Sequence, residues 1–350
     1  MSLDLPQFLL SRGATQAQID AAVGSRQIVG LALEYSILPG ERLYSVQEIS
    51  AATNTDPRLA EALWRAMGFP SVDDNERRFT EADAQALRGA VSNIFSFESI
   101  ETAVHQTRNS AGALAKIAEA FTDGLERVTR DGLRRGLSDV ELVESLFAFL
   151  DFDSAVPILV YLLRRQTIAA IHRRLDWTAS SPDPDVARIA VGFADLVGYT
   201  SITQGLTGIE LQDLTQRFEG LTSDVVSQFG GRIVKTIGDE VMFVAGDSVT
   251  AAEIALALVE EHAADEMLPE VRVAFDIGPV VHRGGDYFGS VVNRASRLVD
   301  VARAGAVVTT DLVHADLFGN SHFRLRALGN KRLRSIGDTF VWRLEREEIS

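Results

Sequence analysis

Read for its alternation of apolar and polar positions, the chain changes rhythm near residue 178. Before that point apolar residues recur at three- and four-residue spacing, the period of amphipathic helices; after it, short β-branched runs alternate with helical segments. Leu5 to about Ile37 has Ala-rich helical spacing and a turn expected at Leu38-Pro39-Gly40. Ser45 with Glu48 three residues on has the form of a capping box opening a short helix to Thr53. Asn54-Thr55-Asp56 turns the chain, and Asp56 as N-cap with Pro57 at N1 starts a second helix running to Met67. With the stretch Arg77 to Asp83 as a following wing, residues 43–90 read as a helix-turn-helix element. From Ala82 to Trp177 the spacing stays helical, with Leu142, Val143, Leu146, Phe147 and Leu150 as a core stripe.

Thr178-Ala179-Ser180-Ser181-Pro182-Asp183-Pro184-Asp185 is small, polar and twice interrupted by proline, so 178–185 is expected to link an all-helical domain, 1–177, to a second domain, 186–350. The second domain opens with a strand from Val186 to Phe193 and a long helix from Ser201 to Phe229, stopped by Gly230-Gly231. Two β-branched runs then flank Gly238-Asp239 as a tight hairpin, with Ile233, Lys235 and Ile237 expected on one face. A helix over Val249–Ala264, a strand over Val271–Ile277 continued by Val280-Val281, a helix over about Ser290–Ala304 and a strand over Val307–Thr309 follow. A last helix and strands over Phe323–Leu328 and Phe340–Leu344 close the domain. The order βαββαβ with additions predicts an α+β, ferredoxin-like sandwich behind a helical domain.

Composition narrows the chemistry. With 46% hydrophobic and 24% charged residues over 350 positions, the chain is globular in type. A net charge of −15 opposes general binding to nucleic acid or anionic lipid. The absence of cysteine excludes disulfides, thiolate zinc sites and cysteine nucleophiles. The start, Met1-Ser2-Leu3-Asp4, lacks the form of a signal peptide. The run Phe147–Leu163 carries Asp151, Asp153 and Pro157 and reads as too short and too charged to span a bilayer. A cytoplasmic protein is the expectation.

Three segments carry candidate chemistry. Phe193-Ala194-Asp195-Leu196-Val197-Gly198-Tyr199-Thr200 takes a buried strand through a carboxylate into a helix start, where Gly198 lets backbone amides approach a phosphate. Asp239 lies at the hairpin tip, at the end of a neighbouring strand, so the two carboxylates suit a pair of hard divalent cations. The third segment runs from Gly284 to Leu298; on its helix Asn293 and Arg297 share one face at i and i+4. Taken singly, each segment also reads as ordinary structure: a surface lysine beside a turn aspartate, a capping Asp195, a solvated Asn/Arg face.

Together, Phe193 to Thr200, Lys235-Thr-Ile-Gly-Asp239 and Asp286-x-x-Gly-x-x-Val-Asn-x-Ala-Ser-Arg297 resemble the class III adenylate cyclases, over about Ile189 to Leu344. The resemblance implies cyclisation of ATP with two Mg²⁺ or Mn²⁺ ions at a homodimer interface. It places the metals on Asp195, Asp239 and the Leu196 backbone, and the substrate cradle on Leu196, Gly198 and Thr200. It assigns the base to Lys235 and Asp286, the ribose to Asn293 and the transition-state phosphates to Arg297. Lys235 is a donor for adenine N1 and Asp286 an acceptor for the N6 amine, a pattern that guanine reverses. The short Val281–Gly285 stretch is similar to the short-arm bacterial subgroup, and the N-terminal part to the regulatory domains of soluble mycobacterial and actinobacterial cyclases.

Two competing readings are weighed. Gly284-Gly285-Asp286-Tyr287-Phe288 approaches the diguanylate cyclase signature, but Tyr287 stands where that signature requires glutamate. Residues 43–90 resemble the winged helix of MerR-like regulators, which allows a catalytically silent sensor or a DNA-binding regulator. Asp56 and Glu61 offset Arg58 and Arg65 on its second helix, against binding in a phosphate-lined groove. His172, just before the linker, is a candidate pH-sensitive group.

Overall fold

The computed structural model describes residues 3–23, 27–71, 73, 75–94, 99–178 and 186–347. The chain divides into two compact units, Met1–Leu162 and Leu163–Ser350. Of the expected linker, residues 179–185 lie outside the described residues.

The first unit is helical. The segment expected as one helical run is three helices: α1 (Leu5–Ser11), α2 (Gln16–Ala22) and α3 (Gln27–Ile37). Thr15 makes the break, since it caps α2 in a reciprocal capping box with Gln18. α4 (Val46–Thr53) carries the expected Ser45–Glu48 box and ends at Asn54, whose φ of 52° is left-handed. Asp56 accepts from the Arg58 amide at 2.7 Å to start α5 (Pro57–Ala66). An isolated bridge joins Tyr44 to Phe79 ahead of α6 (Glu81–Ile94). The long α7 (Ile100–Arg134) and α8 (Asp139–Phe149) follow. The core stripe falls where its spacing put it: Leu142, Val143 and Leu146 are buried against Leu5, Leu9, Ile19 and Tyr35.

α9 (Phe152–Thr178) runs across the division between the units. The stretch Asp139–Trp177 is long and apolar enough to cross a membrane, with 12% of its most apolar window buried. That differs from the expectation drawn from Phe147–Leu163 alone. The stretch is two helices, however, interrupted at Leu150 and Asp151.

The second unit holds β1 (Val186–Leu196), α10 (Tyr199–Thr203), α11 (Gly208–Gln228), β2 (Arg232–Ile237), β3 (Glu240–Ala245) and α12 (Ser248–Ala264). It continues with β4 (Val271–Arg283), β5 (Asp286–Phe288), α13 (Ser290–Leu298), β6 (Val307–Thr310), α14 (Asp311–Leu317), β7 (Phe323–Leu333) and β8 (Gly337–Arg346). The expected long helix from Ser201 is two helices, because the Thr207–Glu210 capping box starts α11 afresh.

The sheet order is β2-β3-β1-β4-β6-β8-β7, with β5 folded back on β4. β1 to β4 form the antiparallel βαββαβ core, and β4–β6 is a parallel pair. One sheet face, through Ala194, Val241, Phe243 and Phe275, is buried with Phe218 and Ile254 of the α11 and α12 side. The other, through Val191, Phe193, Met242 and Val244, is buried with Val291, Ala295 and Leu298 of α13. Gly192 has no room for a side chain, since a Cβ there would stand 2.1 Å from the Phe243 ring.

The hairpin departs from simple alternation. Ile233 pairs with Phe243 but Lys235 pairs with Met242, so Val234 is an extra residue in a β-bulge. Directly paired residues point to one face, and Phe243 and Met242 lie on opposite faces. Ile233 and Lys235 therefore do not share a face, contrary to the period-two expectation. The bulge turns Lys235 onto the α13 side.

Candidate active site

The α13-side face collects the charged residues. Asp195 pairs in register with Glu240, and the Leu196 amide donates to the Asp239 carbonyl at 3.1 Å. The end of β1 and the tip of the β2–β3 hairpin are thus tied together, and Asp195 feels the Asp239 charge. Arg272 on β4 donates to Asp195 Oδ2 at 2.6 Å and reaches the Asp300 carbonyl at 3.4 Å. Burial pushes the Asp195 carboxyl up; Arg272 opposes this, while Asp239 and Asp300 add to it. Glu240 is driven up to about 7 by burial and by Asp195, Asp300 and Asp239.

These features fit divalent metal. Hard oxygen donors sit where negative charge exceeds what Arg272 offsets, and a cation would relieve that excess. Among the described residues no group of three or more His, Asp and Glu side chains forms a metal-binding cluster. Asp195 and Asp239 are two carboxylates close enough to act on one another, a kind of pair that can share a hard cation.

The second grouping is the Lys235–Asp286 ion pair. Lys235 Nζ donates to Asp286 Oδ2 at 2.6 Å, and the Tyr287 amide donates to Oδ1 at 2.8 Å. Burial works against the Asp286 carboxylate, but the Lys235 and Tyr287 bonds outweigh it and hold its pKa below the usual range. Both side chains remain about one-third exposed, at 37% and 31%. Their pairing is then worth less than about 1 kcal/mol, so the two side chains part cheaply. Arg232 steadies this end, donating to the Gly285 carbonyl at 3.2 Å and the Tyr287 hydroxyl at 3.3 Å.

Asn293 and Arg297 project from the exposed side of α13, one turn apart. Arg294 turns inward between them and donates to Asp276 Oδ2 at 2.5 Å; Asp276 is fully buried and also accepts from Thr310. Sequence reasoning missed Asp276, Arg272 and Glu240: the first two stand between apolar strand residues with partners distant in the chain, and Glu240 follows Asp239 at the turn. A charged residue at a buried strand position was the available signal.

Among the described residues, no hydrogen bond or ion pair joins Asp195 and Asp239 to Lys235, Asp286, Asn293 or Arg297. Gly198, with φ of 76°, caps α10, but that helix is a single turn and lends little dipole to a phosphate cradle. The Thr200 side chain lies outside the described residues.

Residues 182–346 match the adenylate and guanylate cyclase catalytic domain. The chain is similar to an adenylate cyclase of Streptomyces coelicolor, 39% identical over 298 residues that cover 83% of this chain and 75% of the relative. An adenylate cyclase of Glutamicibacter nicotianae is 34% identical over 333 residues, 90% of this chain and 82% of that one. A pH-sensitive adenylate cyclase of Mycobacterium tuberculosis is 30% identical over 361 residues, 98% of this chain and 87% of the relative. The chain belongs to the class III adenylate cyclases.

Proposed function

We propose that this protein converts ATP to 3′,5′-cyclic AMP and pyrophosphate in the cytoplasm, at two sites shared across a homodimer. The observation that carries the substrate choice is the Lys235–Asp286 pair at 2.6 Å. It offers a donor and an ionised acceptor side by side, complementary to adenine N1 and N6 and mismatched to guanine.

Asp195, Asp239 and the Leu196 backbone would hold two Mg²⁺ or Mn²⁺ ions, which would supply the positive charge that acidifies a ribose 3′-hydroxyl and stabilises an α-phosphate losing pyrophosphate. Asn293 orients the ribose, and Arg297 meets the charge that grows on the α-phosphate. Arg272, beside Asp195, adds positive charge where the phosphates lie. The buried Asp276–Arg294 pair fixes α13, and with it the positions of Asn293 and Arg297. Gly198 and Thr200 complete the cradle at the end of β1.

Residues 1–177 tune this activity, as a helical unit without evident chemistry of its own; the pH sensitivity of the mycobacterial relative makes proton concentration a natural input. The helix pair α4–α5 is a packing element of that unit in this reading.

The test is an assay of the purified full chain with Mn²⁺ and either ATP or GTP. Cyclic AMP from ATP with far slower turnover of GTP is expected. No cyclic product from ATP rejects the reading and leaves a silent sensor, and equal use of GTP rejects the base assignment.

A further inference from the structure

Two residues of β2 hold the β4–β5 hairpin from one side. Arg232 pairs with Val244 and Lys235 with Met242, and both partners belong to the sheet face that packs on α13. Directly paired residues point to one face, so Arg232 and Lys235 share it, about 7 Å apart at strand rise. Three residues apart in an unbroken strand they would point to opposite faces; the bulge at Val234 brings them together. Lys235 Nζ ends on Asp286 Oδ2 at 2.6 Å. The Arg232 guanidinium forks around the same aspartate. One nitrogen donates to the Gly285 carbonyl at 3.2 Å and the other to the Tyr287 hydroxyl at 3.3 Å.

Asp286 follows directly on a turn. Arg283 pairs with Asp286, leaving Gly284-Gly285 as a two-residue loop with φ of 61° and 85°, the form of a type I′ turn. Glycine takes these angles without strain but restricts the chain least, so the loop by itself fixes its exit weakly. β5 is three residues long and lies off the main order of the sheet, paired with β4. Side chains supply the further anchorage. Both Asp286 oxygens are engaged, one by Lys235 and one by the Tyr287 amide at 2.8 Å. The residues before and after it are held by Arg232, and the buried Tyr287 ring lies between Arg232 at 5.9 Å and the His282 ring at 4.9 Å.

We propose that Arg232 is a positioning residue for base selection: by gripping Gly285 and Tyr287 it fixes the direction in which Asp286 presents its carboxylate. The role in selection rests on the base-site reading above; the clamp itself does not. Direction matters because the two purines offer the same groups in reversed order. Adenine has a donor at N6 and an acceptor at N1, guanine an acceptor at O6 and a donor at N1. A lysine and an aspartate free to swing can satisfy either edge by changing which atom each one meets. Held in place, they match one edge and leave polar groups unpaired on the other. Arg232 thus acts through Asp286, turning a choice of residue types into a choice of base.

The test uses the full chain. Without nucleotide, Arg232→Gln should speed hydrogen exchange of the segment Gly284–Phe288 about tenfold, as loss of a charged donor allows. Arg232→Lys should fall between, since lysine keeps the charge but not the fork. Unchanged exchange overturns the clamp. With Mn²⁺, Arg232→Gln should lower the ATP-to-GTP ratio of kcat/KM about tenfold, through a raised KM for ATP with kcat within about twofold. Equal loss of kcat for both nucleotides at an unchanged ratio marks a merely structural arginine and overturns the role in selection. Asp286→Ala is the control: if it too leaves the ratio unchanged, the base-site reading is what fails, and exchange alone judges the clamp. Added to Asp286→Ala, Arg232→Gln should change the ratio no further; a further fall overturns action through Asp286.

Discussion

Asp195 and Ala187 lie near opposite ends of one strand, and the groups gathered around them have opposite sign. Around Asp195 are Asp239, Glu240 and Asp300, with Arg272 against them, and burial raises both the Asp195 and Glu240 pKa values. Around a cavity that Ala187 lines are Arg173, Arg174, Arg232 and His282, and burial lowers Arg173 and His282. A single strand thus runs from a group of mostly acidic side chains to a group of mostly basic ones. Lys235 and Asp286 carry one charge of each sign already paired. The difference teaches that burial pushes acids up and bases down alike, while the neighbouring charges, acidic at one end and basic at the other, add to that push.

The largest expected effect tests whether the acidic end is completed by a second chain. Arg297→Ala should lower turnover about 10²–10³-fold, as loss of one transition-state donor does, and Asp195→Ala should be at least as damaging. Each spoils both sites of its own homodimer. In a mixed dimer one site collects both lesions and the other neither, so mixing the two inactive proteins should restore activity. Chain exchange shown with two differently tagged chains, and activity still at background, would contradict the shared-site arrangement.

At the base pair, Lys235→Glu with Asp286→Cys should reduce kcat/KM for ATP at least about 100-fold by leaving polar edges unmatched. The ATP-to-GTP ratio should fall with it. Unchanged ATP kinetics would free these residues from base recognition.

Between the two ends, Asp276→Ala strands the half-buried Arg294 and the Thr310 hydroxyl. Loss of about 3 kcal/mol of stability is expected, with a smaller loss for Asp276→Asn, measured by denaturant unfolding. A change within about 0.5 kcal/mol would show that α13 is held by Val291, Ala295 and Leu298 alone.

The smallest effect lies on the opposite sheet face. His262 is buried edge-on to Phe218, and desolvation holds its pKa below the ordinary value. The unfolded chain therefore takes up a proton that the folded chain refuses. Stability present above about pH 6.5 is lost as pH falls below it. His262→Phe should reduce the drop in Tm between about pH 7.5 and 5.5, whereas an unchanged drop assigns acid sensitivity elsewhere.

Much of the fold was legible because local patterns that neighbours reinforce survive folding. The Ser45–Glu48 box, the Asp56-Pro57 helix start, the Leu142–Leu146 stripe and the Gly238-Asp239 turn all stand where the spacing put them. So does the βαββαβ element order, while the sheet order came from the structure. Boundaries moved where one capping residue outvoted a long periodic run, as at Thr15 and Thr207. The candidate site was legible as residue types at motif spacing, and it was there that local reading reached its limit.

By itself, the sequence determined which chemical groups are present: two carboxylates beside tight turns, a lysine in a strand, and an Asn/Arg pair at helical spacing. Only the tertiary structure decided where they point and what answers them. Lys235 reaches Asp286, 51 residues away, because the bulge at Val234 shifts the hydrogen-bond register and turns the side chain to the other face. Side-chain direction in a strand follows the count of paired residues, and that count belongs to the neighbouring strand as much as to the strand itself. Arg272 beside Asp195, Arg294 beside Asp276 and Arg173 beside Arg232 are likewise meetings between distant segments. Charge compensation depends on distance and burial, quantities a linear chain does not possess until it has folded.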